Sequence, residues 1–346
     1  MKKLVVTLFI AALIAASVVA QDPPPTLRIV TESPGLPSEL FYGTIKVKPL
    51  RFRPGTTTPI TIADNDFFIQ QQYIDFLRRF PDAGGDGVFG TSDDPMQFYL
   101  KTINDYINGS PCTPANVQCL KDIRGIVSAN FFRSPEFQRK GLYVMYLYMV
   151  SIGQRPVTAA ELPAKNTTDV NDRPHYSEFM TDLQSVSTPN DDPVLTETKK
   201  AALAEAWMQR PQIQTLYPNA PTMTNAQFVQ KLLDTAGVTN SQQSQLVASL
   251  NDGSRTRGAV LRLIAESAEV DTKFSKQAYV TMEYFGYLRR DPEDCHLQSN
   301  WQNNDPNTCG YIFHNNRFSD PRIAPADIQN VMVQGFIESP EYINRF

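Results

Sequence analysis

The feature that most constrains the fold is a helix pattern that recurs along the chain. Mostly apolar side chains fall at positions i, i+4, i+7 and i+8, and a proline follows four residues beyond the last of them. The three occurrences are Ile69, Tyr73, Phe76 and Leu77 before Pro81; Val144, Tyr148, Ser151 and Ile152 before Pro156; and Val280, Tyr284, Tyr287 and Leu288 before Pro292. This shared register predicts an all-α fold built from repeated helical units.

A second recurring motif predicts where helices begin. Ser-Pro-Glu-Phe at 134–137 and Ser-Pro-Glu-Tyr at 339–342 each place a hydroxyl at the N-cap, proline at the first helical position and an acid in the first turn. Arg-Pro-Gln at 210–212 is a weaker version. Because a first-turn acid complements the helix dipole, we interpret Glu136 and Glu341 as structural groups rather than a glycosidase pair.

These patterns predict four segments. Residues 1–20 read as a signal peptide, and residues 21–63, rich in Pro and Thr, read as an extended leader or short strands. Residues 64–220 would hold repeat units 1 and 2, and residues 221–346 units 3 and 4, giving two packed helical bundles. The third unit is the most divergent, because Gly237 ends its helix in place of a proline.

The N-terminus predicts the compartment. Lys2 and Lys3 precede an apolar run, and Val18 and Ala20 are the small residues expected before a cleavage at Gln21. The run is short for a membrane span, so we predict export to the cell surface or extracellular space, with no membrane span in the mature chain. A net charge of −4 without a basic block argues against nucleic acid as a partner.

Four cysteines lie in two close pairs, Cys112 with Cys119 and Cys295 with Cys309. In an exported protein this spacing favours two local disulfides over the other two connectivities. The second pair, together with nearby histidines, could also be read as a zinc set, but its spacing fits no common zinc finger.

Residues 82–94 resemble most of a twelve-residue calcium loop. The candidate ligands are Asp82, Asp86, the Val88 carbonyl, Gly90 and Asp93, with Gly87 at the obligatory turn position. Gly84 stands where a third acid is expected, and the last ligand is Asp instead of Glu. Calcium is therefore a candidate cofactor, and the alternative is a Gly- and Asp-rich turn that needs no metal.

The motifs together resemble a bacterial family known as the domain of unknown function 4214. The segments that carry the resemblance are residues 73–82, 131–137, 284–292 and 336–342, and the units span nearly everything from Asp66 onward. The family's Gly-Tyr-x-Phe-Trp segment corresponds to residues 310–314, where His314 replaces tryptophan. The resemblance implies an all-helical extracytoplasmic module without established enzymatic activity. Relatives often accompany calcium-binding or adhesion domains, and their architecture is similar to that of phycobilisome linker domains.

With three histidines and no Gly-x-Ser-x-Gly motif, the chain offers little for nucleophilic catalysis. We therefore expect a secreted non-enzymatic scaffold or adhesion protein whose partner is a cell-surface or matrix protein or glycan. The alternatives are a polysaccharide-active enzyme and a module that binds cell-wall glycan. A pocket holding two carboxylates about 5 to 10 Å apart, one with a raised pKa, would favour the enzyme. An exposed row of aromatic side chains would favour the glycan module.

Overall fold

The computed structural model describes ten stretches of the chain. They are residues 27–30, 39–42, 45–47, 51–52, 59–88, 91–113, 115–153, 174–188, 191–292 and 310–346. The predicted signal peptide, the Cys295–Cys309 pair and Gly90 lie outside the described residues.

The leader contains short strands, one of the two structures expected for it. Strands β1 (Leu27–Val30), β2 (Glu39–Tyr42) and β3 (Ile45–Val47) form an antiparallel sheet in that order. Strands β4 (Arg51–Phe52) and β5 (Pro59–Ile60) form a separate antiparallel pair. The three-stranded sheet belongs to one compact unit, and the second pair belongs with the described helices to another.

The regular structure described beyond the leader is helical, which confirms the all-α fold. The α-helices are α1 (Asn65–Gln72), α2 (Pro95–Asn108), α3 (Val117–Arg133), α4 (Pro135–Phe137), α5 (Tyr143–Ser151), α6 (Tyr176–Val186), α7 (Pro193–Met208), α8 (Pro211–Leu216), α9 (Asn225–Ala236), α10 (Gln243–Asn251), α11 (Arg257–Ala265), α12 (Ala268–Glu283), α13 (Gly310–Arg317), α14 (Ile328–Ile337) and α15 (Pro340–Ile343). Three π-helical turns are π1 (Tyr73–Leu77), π2 (Gln138–Leu142) and π3 (Tyr284–Leu288).

Most of the predicted helix ends are confirmed. The Ser134 hydroxyl accepts the N–H of Phe137 at 3.1 Å, and the Ser339 hydroxyl accepts that of Tyr342 at 3.1 Å. Gly237 ends α9 in the left-handed conformation, with φ of 59°. Asp64 stands at the N-cap of α1, but its carboxylate accepts the N–H of Thr61 at 2.8 Å and does not cap the helix.

The helices on the two sides of residue 220 share one core. Helix α5 packs against α9 and α11, α7 packs against α11, and α3 packs against α14. Most of the buried apolar residues in the described part of the chain form one cluster that runs from Phe68 to Tyr342. Among the described helices, none combines the length and the apolar character needed to cross a bilayer.

The first predicted disulfide is confirmed. Cys112 and Cys119 are joined with an S–S distance of 2.01 Å and a Cα–Cα distance of 5.9 Å. The bond ties the loop after α2 to the first turn of α3, so it fixes the connection between two helices that pack together.

Candidate functional site

Two copies of one side-chain arrangement, which we call the clasps, lie where π1 and π3 end. Each π turn is followed by an arginine in the left-handed conformation, Arg78 with φ of 56° and Arg289 with φ of 52°. This conformation is unfavourable for a residue with a Cβ, so surrounding contacts must hold it. The next residue in each copy, Arg79 or Arg290, binds a glutamate of a later helix.

In the first clasp, Arg79 binds the first-turn acid of α4. Its Nε donates to Glu136 Oε1 at 2.9 Å, and its Nη2 donates to Oε2 at 2.8 Å. The guanidinium carbon lies 5.1 Å from the ring centroid of Tyr73, whose ring packs edge-on against Phe131 at 5.0 Å. The clasp therefore joins the end of π1 to both α3 and α4.

The second clasp repeats these contacts with the same residue types. Arg290 Nε donates to Glu341 Oε1 at 2.5 Å, and Nη2 donates to Oε2 at 3.0 Å. The guanidinium carbon lies 5.2 Å from the Tyr284 ring, which packs edge-on against Phe336 at 5.1 Å. The end of π3 is thus joined to α14 and α15 in the way that π1 is joined to α3 and α4.

The two clasps differ in their exposure to solvent. The Glu136 side chain is 7% exposed, whereas that of Glu341 is 46% exposed. Glu136 also accepts from Lys140 at 2.6 Å. Burial lowers the pKa of Arg79, but Glu136 and Asp82 outweigh this effect and hold that pKa above its usual range. The first clasp is consequently a buried charge network, and the second is a surface ion pair.

The motif of the first clasp is also tied directly to that of the second. Asp75 in π1 accepts both from Arg345 at 3.0 Å and from Arg289 at 3.1 Å. Burial by itself would raise the pKa of Asp75, but the two arginines lower it below the usual range. A buried carboxylate of the first motif therefore stays charged because the second motif neutralises it.

The two π turns also interlock sterically. The ring of Phe76 lies 4.8 Å from that of Tyr287. A Cβ placed on Gly286 would lie 2.1 Å from a carbon of the Phe76 ring, so no side chain fits at that position. Asp75 occupies the matching position of the first turn.

The predicted calcium loop is only partly assembled as expected. Carboxylate oxygens of Asp86, Asp93 and Asp94 lie within 4.8 Å of one another, and Asp94 was not among the predicted ligands. Asp82 instead accepts from Arg79 Nη1 at 2.8 Å, and burial raises its pKa. The Val88 carbonyl accepts from Thr91 at 3.0 Å.

Asp93 organises this turn through its own hydrogen bonds. Its Oδ1 accepts from Thr91 at 2.7 Å, and its Oδ2 accepts the N–H of Gly85 at 2.7 Å and of Asp86 at 3.2 Å. The Thr91 hydroxyl and these backbone donors hold the pKa of Asp93 below its usual range. Gly87 has a φ of 71°, as the turn position of a calcium loop requires. These bonds stabilise the turn without a metal, and they leave a cluster of acids that a cation can share.

A second candidate site is a cleft of about 570 Å³, which we call the central cleft. One wall is the α3–α4 junction with π2 and the start of α5, and the other is the α11–α12 junction; Lys200 of α7 and Gln329 of α14 complete it. Tyr143 and Tyr146 form part of its floor. The Tyr143 hydroxyl donates to the carbonyl of Lys200 at 2.8 Å, which fixes the floor against α7.

The acids of the central cleft are already engaged. Glu266 forms an ion pair with buried Lys200 and accepts from Arg262 Nε at 2.8 Å. Asp271 accepts from the Tyr146 hydroxyl at 2.8 Å, and burial is the main cause that raises the pKa of Tyr146. Among the described carboxyl groups, Asp82 and Glu283 have a raised pKa, and neither lines the cleft. The criterion stated for a polysaccharide-active enzyme is therefore not met there.

Glu283 is a separate buried carboxyl group at the end of α12. It is fully buried, and neither carboxyl oxygen has a hydrogen bond of normal geometry to the described residues. Burial raises its pKa well above the usual range, and nearby Tyr279 and Arg317 offset only part of that rise. Burial therefore favours the neutral carboxylic acid form of Glu283.

The fold and the two clasps define an all-α protein whose recurring charged residues join helix ends. The chain matches no family model, no curated protein and no solved structure. The resemblance to the domain of unknown function 4214 therefore stays a prediction.

Sequence reasoning identified the residues of the clasps but missed their pairing. It assigned Glu136 and Glu341 to the helix dipole, whereas each binds the arginine that follows a π turn. The signal was present, because Arg-Arg-x-Pro precedes Ser-Pro-Glu in both the first and the last unit. The central cleft had no such signal, since its residues come from well-separated parts of the chain.

Proposed function

We propose that this protein is a secreted, non-enzymatic helical scaffold or adhesion protein of the bacterial cell surface or extracellular matrix. The observation that supports this proposal is the use of the recurring charged residues. In both clasps the arginine and the glutamate bind each other, so the groups that recur in the sequence serve helix packing. The Cys112–Cys119 disulfide also fits an oxidising compartment outside the cytosol.

We also propose that the first and last units are copies of one ancestral unit. Tyr73 and Tyr284 contact partners of the same residue types, an arginine and a phenylalanine. The arginine lies 5.1 Å from the tyrosine ring centroid in the first clasp and 5.2 Å in the second. Capping chemistry alone explains isolated Ser-Pro-Glu motifs, but it does not explain a matching set of contacts between distant residues. Duplication accounts for both the repeated motifs and the repeated contacts.

The export proposal is tested by expressing the full chain in a bacterial host with its own N-terminus. We expect the protein in the medium or at the cell surface, accessible to added protease, with Cys112 and Cys119 oxidised. A variant that lacks residues 1–20 should stay inside the cell and serve as the control. Full-length chain retained inside the cell with both thiols free would refute export.

The adhesion part is tested by binding. We expect labelled exported protein to bind isolated cell envelopes or matrix saturably, and unlabelled protein to compete with it. The same label on an unrelated helical protein of similar charge is the control. Binding that does not saturate, or that an excess of unlabelled protein leaves unchanged, would contradict an adhesive role.

Calcium is proposed as a stabiliser of the 82–94 turn, held by Asp86, Asp93 and Asp94. With the affinity of extracellular modules, a Kd of about 10⁻⁴ to 10⁻³ M, 10 mM calcium should stabilise the fold by about 1.4 to 2.7 kcal/mol. Thermal unfolding with calcium and with chelator measures this. Asp86→Asn should abolish the calcium shift, whereas Asp82→Asn should keep it because Asp82 binds Arg79. If wild type melts identically with calcium and chelator, the turn is metal-free.

A further inference from the structure

The size and openness to solvent of the central cleft make it a candidate for ligand binding. Its volume of about 570 Å³ falls within the range of small-ligand sites, roughly 300 to 1,000 Å³. Its floor is formed by buried Phe132, Tyr143, Tyr146 and Tyr279, and its walls carry Arg, Gln, Ser and acidic side chains. This combination of an apolar floor and convergent polar groups is typical of a ligand site.

The polar residues of the cleft are not required by the clasp. Aligning the two motifs pairs Arg133 with Glu338 and Gln138 with Ile343. Glu338 and Ile343 line a smaller groove of about 320 Å³ beside the second clasp. Both clasps form although these positions differ in charge and polarity. The clasp therefore does not require Arg133 or Gln138.

Arg133 is the cation in the cleft whose partners are neutral. Its Nε donates to Gln329 Oε1 at 2.8 Å, Nη1 donates to Asn130 Oδ1 at 3.3 Å and Nη2 donates to Asn330 Oδ1 at 3.4 Å. By contrast, Lys200 and Arg139, which also line the cleft, bind carboxylates. An exposed guanidinium held in place by amides is well suited to bind a carboxylate of a ligand.

The remaining polar groups of the cleft suit hydroxyls. Gln138, Gln329, Ser267 and Ser275 are neutral and can both donate and accept. Asp271, which already accepts the Tyr146 hydroxyl proton, can accept a further hydrogen bond because a carboxylate has several acceptor sites. A ligand that carries several hydroxyls and one carboxylate satisfies both features of this lining.

We propose that the central cleft binds a carboxylated saccharide, a uronic acid unit of a glycan, with its carboxylate on Arg133 and its hydroxyls on the neutral side chains. The inference rests on the proposed adhesive function and names its ligand class. Discrimination comes from the charge-assisted bonds of Arg133, which a neutral sugar cannot make. A ligand without hydroxyls would in turn forgo hydrogen bonds to the neutral side chains of the cleft.

The test is isothermal titration of the purified protein with tetragalacturonate and with maltotetraose, a neutral oligosaccharide of the same length. We expect tetragalacturonate to bind at least ten times more tightly. Arg133→Gln should weaken its binding by about 10-fold or more, the value of a hydrogen bond to a charged group. Ser275→Phe, which fills the cleft, should abolish binding of both sugars. Arg322→Gln is the matched control. Arg322 is 86% exposed and distant from Arg133 in the sequence, so this variant should not change the affinity for either sugar.

Several results would overturn the assignment. They are equal affinity for the two sugars, no binding of either, or an unchanged affinity in Arg133→Gln. Circular dichroism of each variant separates lost binding from lost folding. Envelope binding that survives in Ser275→Phe would remove the cleft from the adhesive surface and leave the scaffold proposal standing. Failure of export would instead refute the proposed function without altering the sugar titration.

Discussion

Replacing Glu283 by glutamine is expected to raise the free energy of unfolding, and the gain should grow with pH above about 4.5. Burial raises the pKa of Glu283 in the folded state, while the unfolded chain keeps the ordinary value. Between those two pKa values the unfolded state loses its proton and the folded state keeps it. The folded wild type is therefore destabilised by about 1.4 kcal/mol for each pH unit in that interval.

Glutamine removes this dependence because it does not ionise. Urea unfolding of wild type and Glu283→Gln at several pH values between 4 and 8 measures the difference. The two proteins should be closest in stability near pH 4 and furthest apart at pH 8. Glu269→Gln, in the first turn of the same helix, is the control and should change stability by less than about 1 kcal/mol. A gain that is the same at pH 4 and pH 8 would show that titration of Glu283 is not its cause.

Replacing Glu136 by glutamine is expected to cost about 3 kcal/mol of stability, because it leaves Arg79 and Lys140 buried without their shared carboxylate. The second clasp provides the matched control. Glu341→Gln removes the corresponding carboxylate, but this side chain is 46% exposed, so the loss should stay below about 1 kcal/mol. Urea unfolding at neutral pH compares the two variants.

The comparison can be refined with a double variant in which both Arg79 and Glu136 become methionine. Because the buried guanidinium of Arg79 is removed together with its partner, and Lys140 keeps Asp191 at 3.2 Å, this variant should recover part of the stability that Glu136→Gln loses. Equal losses in Glu136→Gln and Glu341→Gln would mean that burial does not distinguish the two clasps.

Local chemistry explains which parts of the structure could be predicted from the sequence. Ser134 and Ser339 cap helices through residues three positions further along, so a short window contains the whole interaction. The Cys112–Cys119 bond closes a similarly short loop. In contrast, Arg79 and Glu136 are 57 residues apart, and no local rule pairs them. The π turns were also missed, because their sequences read as ordinary helix ends.

In the predicted calcium loop, a calcium ion and Arg79 compete for the same carboxylate, and residue spacing in the sequence does not show which of them binds it. Position 1 of the predicted loop is Asp82, but the nearest strong donor is Arg79, three residues earlier and brought there by the left-handed turn at Arg78. Asp82 therefore binds within the first clasp, and the acids that lie within 4.8 Å of one another are Asp86, Asp93 and Asp94. The cleft was inaccessible to sequence reasoning for a related reason, since Arg133, Lys200 and Asp271 meet only after several helices have packed.

The contact between the π turns makes the two units complementary rather than interchangeable. Asp75 needs the arginines of the last unit, and Phe76 needs the space that Gly286 leaves. Two first units packed against each other would bury two Asp75 carboxylates that repel. Two last units would leave the space beside Gly286 empty, and Arg289 and Arg345 would lack the carboxylate of Asp75. A first unit therefore packs against a last unit, and pairing of two identical units from neighbouring molecules is disfavoured.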